Sequence, residues 1–517
     1  MKKTLYIIMA VAMATLVSGC DDWLREDAPG STKLEDFFTS GDTALQSVNA
    51  CYTPMMWELQ GTYYSEWFVG DVASDDAVKG GEHILDMAAA YDIENFKTVA
   101  SNELLLQFYR AQYQGISRCN FSLSNIPNMP VDTVMTEPLK NRYIGEAKFL
   151  RAYYYFRLVR MFGGVPKVDF VVESSSDWKQ PRATAEDIYA LILSDLEDAE
   201  SGLMLRSEMA PEDLGRATKG AAQAMLMKVN LYLGNYDAAK QWGKKVIDSG
   251  EYDLNPDYYT NFLIEGENGI ESVFEVQYVN DPTSDYGEGN GFSRGTFTTI
   301  LTRSRSTTLT GGKAGWGFNK PSQDLYDEYE EGDPRRDLTI INPSDDQIEN
   351  REQEIPLGCR YLNRKYACLD ANGDYITLSH QSRGEQNRRE IRYSDVLLMY
   401  AEACIESTTP DLAQAKWAIN KVRSRVGLGE VEATRENLRH ERRVELAMEG
   451  HRWFDLCRWG IAGEVMNTYR TKYNENNANG NIEGSHMEEF VVGKHELMPI
   501  PAEEVRLGGL TQNNGYY

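Results

Sequence analysis

Two short segments of the chain combine aromatic side chains with polar ones. The first contains Tyr63, Tyr64, Trp67, Asp71, Asp75 and Asp76. The second contains Tyr286, Asn290, Phe292, Arg294 and Trp316. Aromatic rings offer flat faces for stacking, and the polar groups beside them can exchange hydrogen bonds. Because sugars present flat C–H faces edged by hydroxyls, both segments are candidates for carbohydrate contacts; the alternative for each aromatic residue is burial in the core.

The chain contains no motif that predicts a catalytic centre or a metal site. Gly291–Gly295 matches the G-x-S-x-G pattern of a nucleophile elbow, but a glycine-rich stretch precedes it where the elbow requires a buried strand. Asp370, Asn372 and Asp374 have the spacing of a calcium loop, yet Tyr375 stands where that loop needs glycine. Paired carboxylates could hydrolyse glycosides, but with 79 acidic residues pairs such as Asp75-Asp76 arise by chance and mostly mark a solvated surface. We therefore expect no catalytic residue, no metal ligand and no cofactor. Whether the loops bind a structural calcium ion stays an open question.

The composition argues against nucleic-acid binding. The 517 residues include 53 Lys and Arg against 79 Asp and Glu, a net charge of −26, and an acidic surface repels phosphate backbones. The 30 Tyr, 17 Phe and 9 Trp far outnumber the 6 His. This balance favours stacking surfaces over histidine-based metal or acid–base chemistry.

The first twenty residues predict an exported protein with a lipid anchor. Two lysines precede an apolar run from Leu5 to Leu16, the pattern of an export signal that is too short to span a membrane. The run leads into the sequence LVSGC, which resembles a bacterial lipobox ending at Cys20. We expect residues 1–19 to be removed as a signal peptide and residues 20–40 to form a lipidated, acidic tether.

Six cysteines follow Cys20, and none of them lies in a C-x-x-C pair. They are Cys51, Cys119, Cys359, Cys368, Cys404 and Cys457. Export permits disulfides, and a bridge between Cys359 and Cys368 would join two neighbouring strands. The alternative is that all six are buried free thiols.

The hydrophobic period predicts helices over much of the chain. Residues 145–162 place apolar side chains on one helical face. Residues 221–254 form two amphipathic patterns joined at Gly234-Asn235-Tyr236, and residues 392–428 repeat this arrangement. Such helical hairpins of about 34 residues are typical of tetratricopeptide-like repeats, which stack to bury their apolar faces.

A loop-rich region interrupts the helical pattern. Residues 256–390 contain many glycines and an alternating stretch, Ser272–Val279, that predicts a strand. A hairpin over Tyr366–Leu378 is expected to turn at Asn372-Gly373. Long loops on a rigid scaffold commonly carry function, so this region is the expected ligand region.

These patterns predict one mainly α domain over residues 41–517. A helical-repeat scaffold occupies residues 41–255 and 391–460. The partly β, irregular region at 256–390 is expected to pack on that scaffold. No stretch after the export signal is long and apolar enough to predict a membrane span.

Nine segments together resemble the SusD/RagB family of outer-membrane lipoproteins from Bacteroidetes-type bacteria. They occur in the family's order and span nearly the whole chain after Cys20. The segments are GEAKFLRAYYYFRLVRMFGGVPKV (145–168), PRATAEDIYALILSDLEDA (181–199), ATKGAAQAMLMKVNLYLGNYDAAKQWGKKVIDSGEYDL (217–254), GWGFNKPSQDLYDEYEEGDPRRD (315–337), IRYSDVLLMYAEACIE (391–406), INKVRSRVGL (419–428), LRHERRVELAMEGHRWFDLCRWG (438–460), ELMPIPAEEV (496–505) and QNNGY (512–516). The stretch ERRVELAMEGHRWFDL alone is quite specific. Asn514 stands where the family usually has proline, which affects only a terminal turn.

The resemblance implies both a fold and a mode of action. It implies a single α-rich fold of tetratricopeptide-like helix pairs with an irregular region packed on it. It also implies a surface lipoprotein that sits as a lid on a SusC-like TonB-dependent transporter and captures nutrients, most often glycans. Acidic residues after the lipidated cysteine, here Asp21 and Asp22, go with surface export in this family's hosts. Glu441 and Glu445, one helical turn apart, are expected to support helix packing through paired charges.

Both aromatic segments fall in regions where this family varies and usually builds its ligand sites. The predicted contacts are Tyr63, Trp67, Asp71, Tyr286, Asn290, Phe292 and Trp316, with Trp67, Tyr286 and Trp316 favoured. The leading hypothesis is a glycan-binding lipoprotein. A peptide-capturing member of the same family is one alternative, because acidic loop residues could meet basic peptides. A surface glycoside hydrolase is the other, which the helical scaffold and the missing catalytic motif disfavour.

Overall fold

The computed structural model describes residues 38–58, 65–283, 294–348, 359–479 and 486–516. Helices dominate the architecture. They are α1 (Gly41–Tyr52), α2 (Trp67–Gly70), α3 (Ala88–Glu94), α4 (Glu103–Asn125), α5 (Glu137–Phe162), α6 (Ala185–Gly202), α7 (Lys219–Tyr232), α8 (Tyr236–Asp248), α9 (Thr298–Thr302), α10 (Thr307–Thr310), α11 (Gln323–Glu328), α12 (Arg335–Thr339), α13 (Tyr393–Glu406), α14 (Leu412–Arg425), α15 (Arg435–Leu446), α16 (Arg452–Arg458), α17 (Ala462–Asn479) and α18 (Ala502–Gly508). The strands are β1 (Ala77–Gly80), β2 (Ser272–Val276), β3 (Phe318–Pro321), β4 (Ile340–Ile341), β5 (Leu362–Asn363) and β6 (Arg388–Arg392). The prediction of a mainly α fold is confirmed.

Helix α5 is the longest described helix and lies at the centre of the scaffold. The side chain of Thr136 caps its N-terminus by accepting from the backbone N–H of Leu139, and Pro138 occupies the first turn. The helix ends at Gly163, whose φ of +71° favours glycine. Helix α5 packs between α4 and α6, and its side chains are buried on nearly all faces. The predicted helix over residues 145–162 is thus confirmed and begins eight residues earlier.

The predicted helical hairpins are confirmed. Helices α7 and α8 pack against each other and are joined at Gly234-Asn235. Helices α13 and α14 form the second hairpin, and α8 packs against α13. Gly243 of α8 allows close packing on both sides, because a Cβ atom there would meet the sulfur of Met227 in α7 at 2.5 Å and Cδ2 of Tyr400 in α13 at 3.1 Å. The repeats therefore stack, as tetratricopeptide-like units do.

Three antiparallel strand pairs connect distant parts of the chain. β1 pairs with β3, β2 with β6, and β4 with β5. The predicted strand at residues 272–279 is present as β2. At the predicted hairpin turn, Gly373 N–H donates to the carbonyl of Asp370 at 2.9 Å, and the carboxylate of Asp370 accepts from the N–H of Asn372. Asp370 therefore stabilises a turn.

One hydrophobic core runs through the scaffold and the loop-rich region together. Its buried members extend from Cys51 in α1 to Leu510 after α18. Residues of the loop-rich region, such as Phe274, Phe297 and Phe318, are members of the same core. Burial of this apolar surface holds the irregular region on the helices.

A buried cluster of ion pairs, the Glu445 cluster, links the C-terminal helices to the strands. It comprises Glu441, Glu445, Arg335, Arg392 and Arg425. The carboxylate of Glu445 lies 3.1 Å from Arg335, 3.0 Å from Arg392 and 2.6 Å from Arg425. Glu441 pairs with Arg335 as well. The predicted structural role of Glu441 and Glu445 is confirmed.

The six cysteines after Cys20 are free thiols in the structure. Five are buried and Cys457 is partly exposed. The alternative of free thiols is the one observed, and the bridge between Cys359 and Cys368 is absent. None of the described helices is long and apolar enough to cross a lipid bilayer.

Candidate functional site

Glu58 joins the two aromatic segments that the sequence singles out. It lies just before residue 59, and its buried carboxylate accepts from Thr296 Oγ1 at 2.6 Å and from the N–H groups of Phe297 and Thr298 at 2.9 and 3.0 Å. It also accepts from the hydroxyl of Tyr278 at 2.9 Å. The described residues that flank segments 59–64 and 284–293 are therefore in direct contact, and we call this contact the Glu58 junction.

Described residues on either side of residues 284–293 contact each other. The N–H of Val279 donates to the carbonyl of Arg294 at 3.0 Å. Thr296 then pairs with Gly384, and Ser379 donates to the side chain of Asn280 at 3.1 Å. These contacts join three stretches of the loop-rich region.

Trp316 lies at a second meeting point of the same two regions. It is half-buried and lies two residues before the start of β3, while β1 directly follows Asp75 and Asp76. β1 and β3 pair antiparallel, and the N–H of Gly81 donates to the carbonyl of Gly317 at 2.8 Å. The pairing thus places Trp316 beside the turn that follows β1, although more than 230 residues separate them.

The surface beside Trp316 carries charged groups suited to hydroxyl recognition. Arg305 pairs with Glu82 across the two regions at 3.2 Å, and its guanidinium also donates to the carbonyl of Trp316 at 3.5 Å. Gly311 and Gly312 are exposed, and a Cβ atom on either would meet no atom within 4 Å. Trp316 itself is partly buried against the main hydrophobic core, and the part of its ring that stays accessible can stack on a sugar ring, while Arg305 and Glu82 can exchange hydrogen bonds with hydroxyls. We call Trp316, Arg305 and Glu82 the Trp316 surface.

The predicted contact residues differ in whether the structure describes them and in how exposed they are. Tyr63, Tyr286, Asn290 and Phe292, with Ser293 of the elbow-like motif and Cys20, lie outside the described residues and stay predictions. Trp316 is half-buried with part of its surface accessible. Trp67 is only 4% exposed and Asp71 is fully buried. The prediction that Trp67 and Asp71 contact a glycan at the surface is wrong, because neither side chain reaches it.

Trp67 instead borders a small polar cavity inside the protein. The cavity has a volume of about 40 Å³, and its lining includes Glu66, Trp67, Thr299, Gln386 and Arg389. Among the described residues, Trp67 Nε1, Thr299 Oγ1 and Gln386 Oε1 have no hydrogen-bond partner. A volume of about 40 Å³ holds a few water molecules and no sugar ring. The cavity is therefore a place for buried water beneath the Glu58 junction.

The aspartates that follow Trp67 are structural. Asp75 receives two hydrogen bonds of 2.8 Å from Arg452 and lies 2.9 Å from Arg443. Burial alone would raise the pKa of Asp75, but the two guanidinium groups hold this pKa well below its usual range. Asp76 pairs with Arg443 at 2.8 Å. The interpretation of Asp75 and Asp76 as a chance pair on a solvated surface is wrong, because both are buried ion-pair partners.

Asp71 lies between α2 and the turn at Gly450. Its carboxylate accepts from the N–H of Gly450 at 2.7 Å and from Asn319 Nδ2 at 3.0 Å. Gly70 permits this contact, because a Cβ atom there would lie 2.3 Å from the carbonyl oxygen of Gly450. Burial raises the pKa of Asp71 to about 7, although the hydrogen bonds from Asn319 and Gly450 act in the opposite direction.

Replacing Asp71 with Asn is expected to change how stability depends on pH. Because the pKa of Asp71 is about 7 in the folded state and about 3.9 unfolded, stability falls as pH rises between those values. The loss is on the order of 4 kcal/mol when complete. Asn319 Oδ1 has no partner among the described residues, so a flip of its amide would satisfy the new side chain.

The measurement compares the free energies of unfolding of wild type and Asp71→Asn at pH 5 and pH 8. Other titrating groups cancel in the difference between the two proteins. The variant should gain stability relative to wild type on going from pH 5 to pH 8. An equal difference at the two pH values would contradict the raised pKa.

Metal chemistry finds no support in the described part of the chain. Within it, no group of three or more His, Cys, Asp or Glu side chains is placed to hold an ion. Sequence reasoning missed Arg305 and Glu82, since nothing in their local sequence distinguishes them. Only the pairing of β1 with β3 brings them to Trp316.

Two family models match the chain over most of its length. The model described as the SusD family matches residues 340–516. The model described as "Starch-binding associating with outer membrane" matches residues 30–231. Among curated relatives, a SusD-like protein of Bacteroides ovatus is 26% identical over 89% of this chain and 83% of its own. SusD-like protein P2 of Formosa agariphila is 26% identical over the full length of both chains.

Solved structures show the same fold. A laminarin binding SusD-like protein is 29% identical, with a TM-score of 0.78 over 92% of this chain and 100% of its own. Surface glycan-binding protein A from Bacteroides thetaiotaomicron, in complex with laminarihexaose, is 26% identical, with a TM-score of 0.77 over 92% of this chain and 100% of its own. Fold, family models and relatives agree across both halves of the chain. The chain therefore belongs to the SusD family.

Proposed function

We propose that this chain is a cell-surface lipoprotein that binds oligo- or polysaccharide and passes it to a TonB-dependent transporter without cleaving it. The observation that carries the proposal is the fold match to a laminarin binding SusD-like protein, which covers 92% of this chain. The Trp316 surface supports it, since it combines a stacking ring with hydroxyl-binding groups. The described residues bring together the flanks of both aromatic segments at the Glu58 junction.

A binding role without hydrolysis fits the acidic residues. Retaining and inverting glycosidases need two accessible carboxyl groups at a fixed separation. In the predicted ligand segment, Asp75 and Asp76 are buried against Arg443 and Arg452 and are not available to a substrate. The same pairing makes Asp75 and Asp76 unavailable to a basic peptide.

The test is electrophoresis of the chain from residue 21 through native gels containing laminarin, starch, xylan or mannan. We expect at least one polysaccharide to retard the protein while the polymer keeps its size. Laminarin is the first choice because a relative of the same fold is named for binding it. Normal mobility in all four gels, together with binding to a library of peptides, would overturn the proposal.

The lipid anchor gives a prediction on localisation. Replacing Cys20 with Ala removes the sulfur that would carry the lipid, so the variant is expected to leave the membrane fraction in cells that lack the transporter. Fractionation and immunoblotting compare it with a Cys457→Ala variant, which keeps Cys20. Equal membrane retention of both variants would contradict the anchor.

A further inference from the structure

A cleft far in sequence from the Trp316 surface has the dimensions of a ligand site. It has a volume of about 420 Å³ and is lined by residues of α4, of the loop between α5 and α6, and of α18. The lining includes Tyr109, Tyr113, Gln114, Trp178 and Leu510. Sites for small molecules usually measure about 300–1,000 Å³ and combine apolar walls with a few polar groups. No residue of this cleft belongs to the Trp316 surface or to the Glu58 junction.

Trp178 is the most exposed tryptophan in the part of the chain that the structure describes. Its side chain is 74% exposed. A large aromatic side chain at the mouth of a cleft offers an open face on which a ligand ring can stack. Tyr113 stands on the facing helix, half-buried, with its ring centroid 4.9 Å from that of Tyr109. The cleft thus has aromatic groups on two sides.

The cleft is built on fixed elements. The hydroxyl of Tyr113 donates to the carbonyl of Pro166 at 2.6 Å, and Asn120 donates to the carbonyls of Val168 and Phe170 at 2.8 and 2.9 Å. These bonds attach the loop after α5 to α4. Further along that loop, the carboxylate of Asp177 accepts from the N–H of Ser174 at 2.9 Å and closes a turn that ends at Trp178. Tyr113 and the backbone at Trp178 are therefore held in place before any ligand arrives.

The charges in the cleft point to a neutral ligand. Arg110, its cationic group, is bound by Glu503 and Glu504, each at 2.9 Å. This pairing leaves neither a free cation for a phosphate nor a free carboxylate for a basic group. The remaining polar lining consists of amide and hydroxyl side chains, from Gln114, Ser117 and Gln180. Neutral hydrogen-bonding groups beside aromatic rings match the hydroxyls and C–H faces of a neutral sugar.

We propose that the Trp178 cleft, defined by Tyr109, Tyr113, Gln114, Trp178 and Gln180, is a second carbohydrate-binding site that takes one neutral sugar residue of a glycan chain. The choice of ligand class rests on the proposed function, whereas the site itself is separate from the Trp316 surface. Two sites on one chain allow a long polysaccharide to bind at two points. The apparent affinity for a polymer then exceeds that of either site alone.

The experiment labels the whole chain with 5-fluorotryptophan and records its fluorine NMR spectrum. Trp178→Phe and Trp316→Phe variants assign the two resonances by their disappearance. Laminarihexaose, maltohexaose and xylohexaose are then titrated separately. Movement of the Trp178 resonance with any of these sugars supports the proposal. Movement of the Trp316 resonance alone would retain the proposed function and overturn the second site.

The remaining outcomes are equally decisive. Movement of Trp178 alone supports the second site and removes the Trp316 surface from the proposed function. If neither resonance moves with any of the three sugars, the second site is overturned, whereas the proposed function is decided by the polysaccharide gels.

A variant series gives an independent readout. Trp178→Ala should lower the affinity for the polymer that retards wild type by about three- to tenfold, the usual contribution of one aromatic stacking contact. Trp417→Ala is the control, because Trp417 is 40% exposed on α14, outside both sites. Equal affinities of the Trp178→Ala variant and wild type would overturn the proposal.

Discussion

Replacing Glu445 with Gln is expected to lower the free energy of unfolding by about 3–5 kcal/mol, the usual cost of removing one partner from a buried ion pair. Glu445 is fully buried and holds three guanidinium groups, those of Arg335, Arg392 and Arg425. Glutamine keeps the size of the side chain but removes its negative charge. The three buried cations then lose their shared counter-ion, which the neighbouring acids compensate only in part.

The difference in free energy of unfolding between wild type and Glu445→Gln should also decrease at low pH. Burial alone would raise the pKa of Glu445, but the guanidinium groups of Arg425, Arg392 and Arg335 hold this pKa well below its usual range. A depressed pKa contributes stability that is complete above the unfolded value of about 4.3 and is lost as pH falls below it. The difference between wild type and variant is therefore largest at neutral pH.

Denaturation by guanidinium chloride at pH 7 and pH 3 measures both effects. Glu475→Gln serves as the matched control, because Glu475 is exposed on α17, and its loss should change stability by less than about 0.5 kcal/mol. A loss below about 1 kcal/mol for Glu445→Gln at pH 7 would contradict the structural role of the cluster.

Replacing Trp316 with Ala is expected to weaken glycan binding by about 10- to 30-fold, as the loss of a central aromatic contact does in other interfaces. Trp316 is half-buried, and its backbone carbonyl accepts from Arg305, which pairs with Glu82. Removing the indole therefore takes away the stacking face and leaves the hydrogen-bonding groups. Trp316→Phe keeps an aromatic face and should retain most of the affinity. Calorimetric titration with the oligosaccharide of the retarding polymer gives the dissociation constants.

The control for Trp316→Ala is Trp417→Ala, which removes an exposed indole from α14. Circular dichroism and the thermal midpoint confirm that each variant is folded. Unchanged affinity of a folded Trp316→Ala variant would show that the Trp316 surface does not bind the glycan. A loss of equal size in the Trp417→Ala variant would show that the effect is not specific.

The scaffold could be predicted because its signals are local. The hairpin of α7 and α8 follows from an amphipathic period broken at Gly234-Asn235, and the start of α6 follows from Thr184, whose side chain caps the helix at the N–H of Asp187. The turn at Asn372-Gly373 could be predicted from these two residues alone, because Asn-Gly is a strong signal for a hairpin turn. Each of these features depends on neighbours in the sequence.

The candidate site was harder to predict because burial and pairing depend on distant residues. Trp67 and Asp71 belong to an aromatic and acidic segment that resembles a sugar site, yet α2 packs inside the protein. Asp75 forms ion pairs with Arg443 and Arg452, which lie more than 360 residues further along the sequence. A local pattern shows that a residue could stack or accept hydrogen bonds, but it does not show which side of the fold it faces.

The most direct test of glycan capture titrates the chain from residue 21 with laminarihexaose and maltohexaose in a calorimeter and then analyses the recovered sugar by chromatography. We expect saturable heat with at least one oligosaccharide and recovery of the intact hexaose. Shorter sugars in the recovered sample, or an absence of saturable heat with both oligosaccharides and of retardation in every polysaccharide gel, would contradict the account.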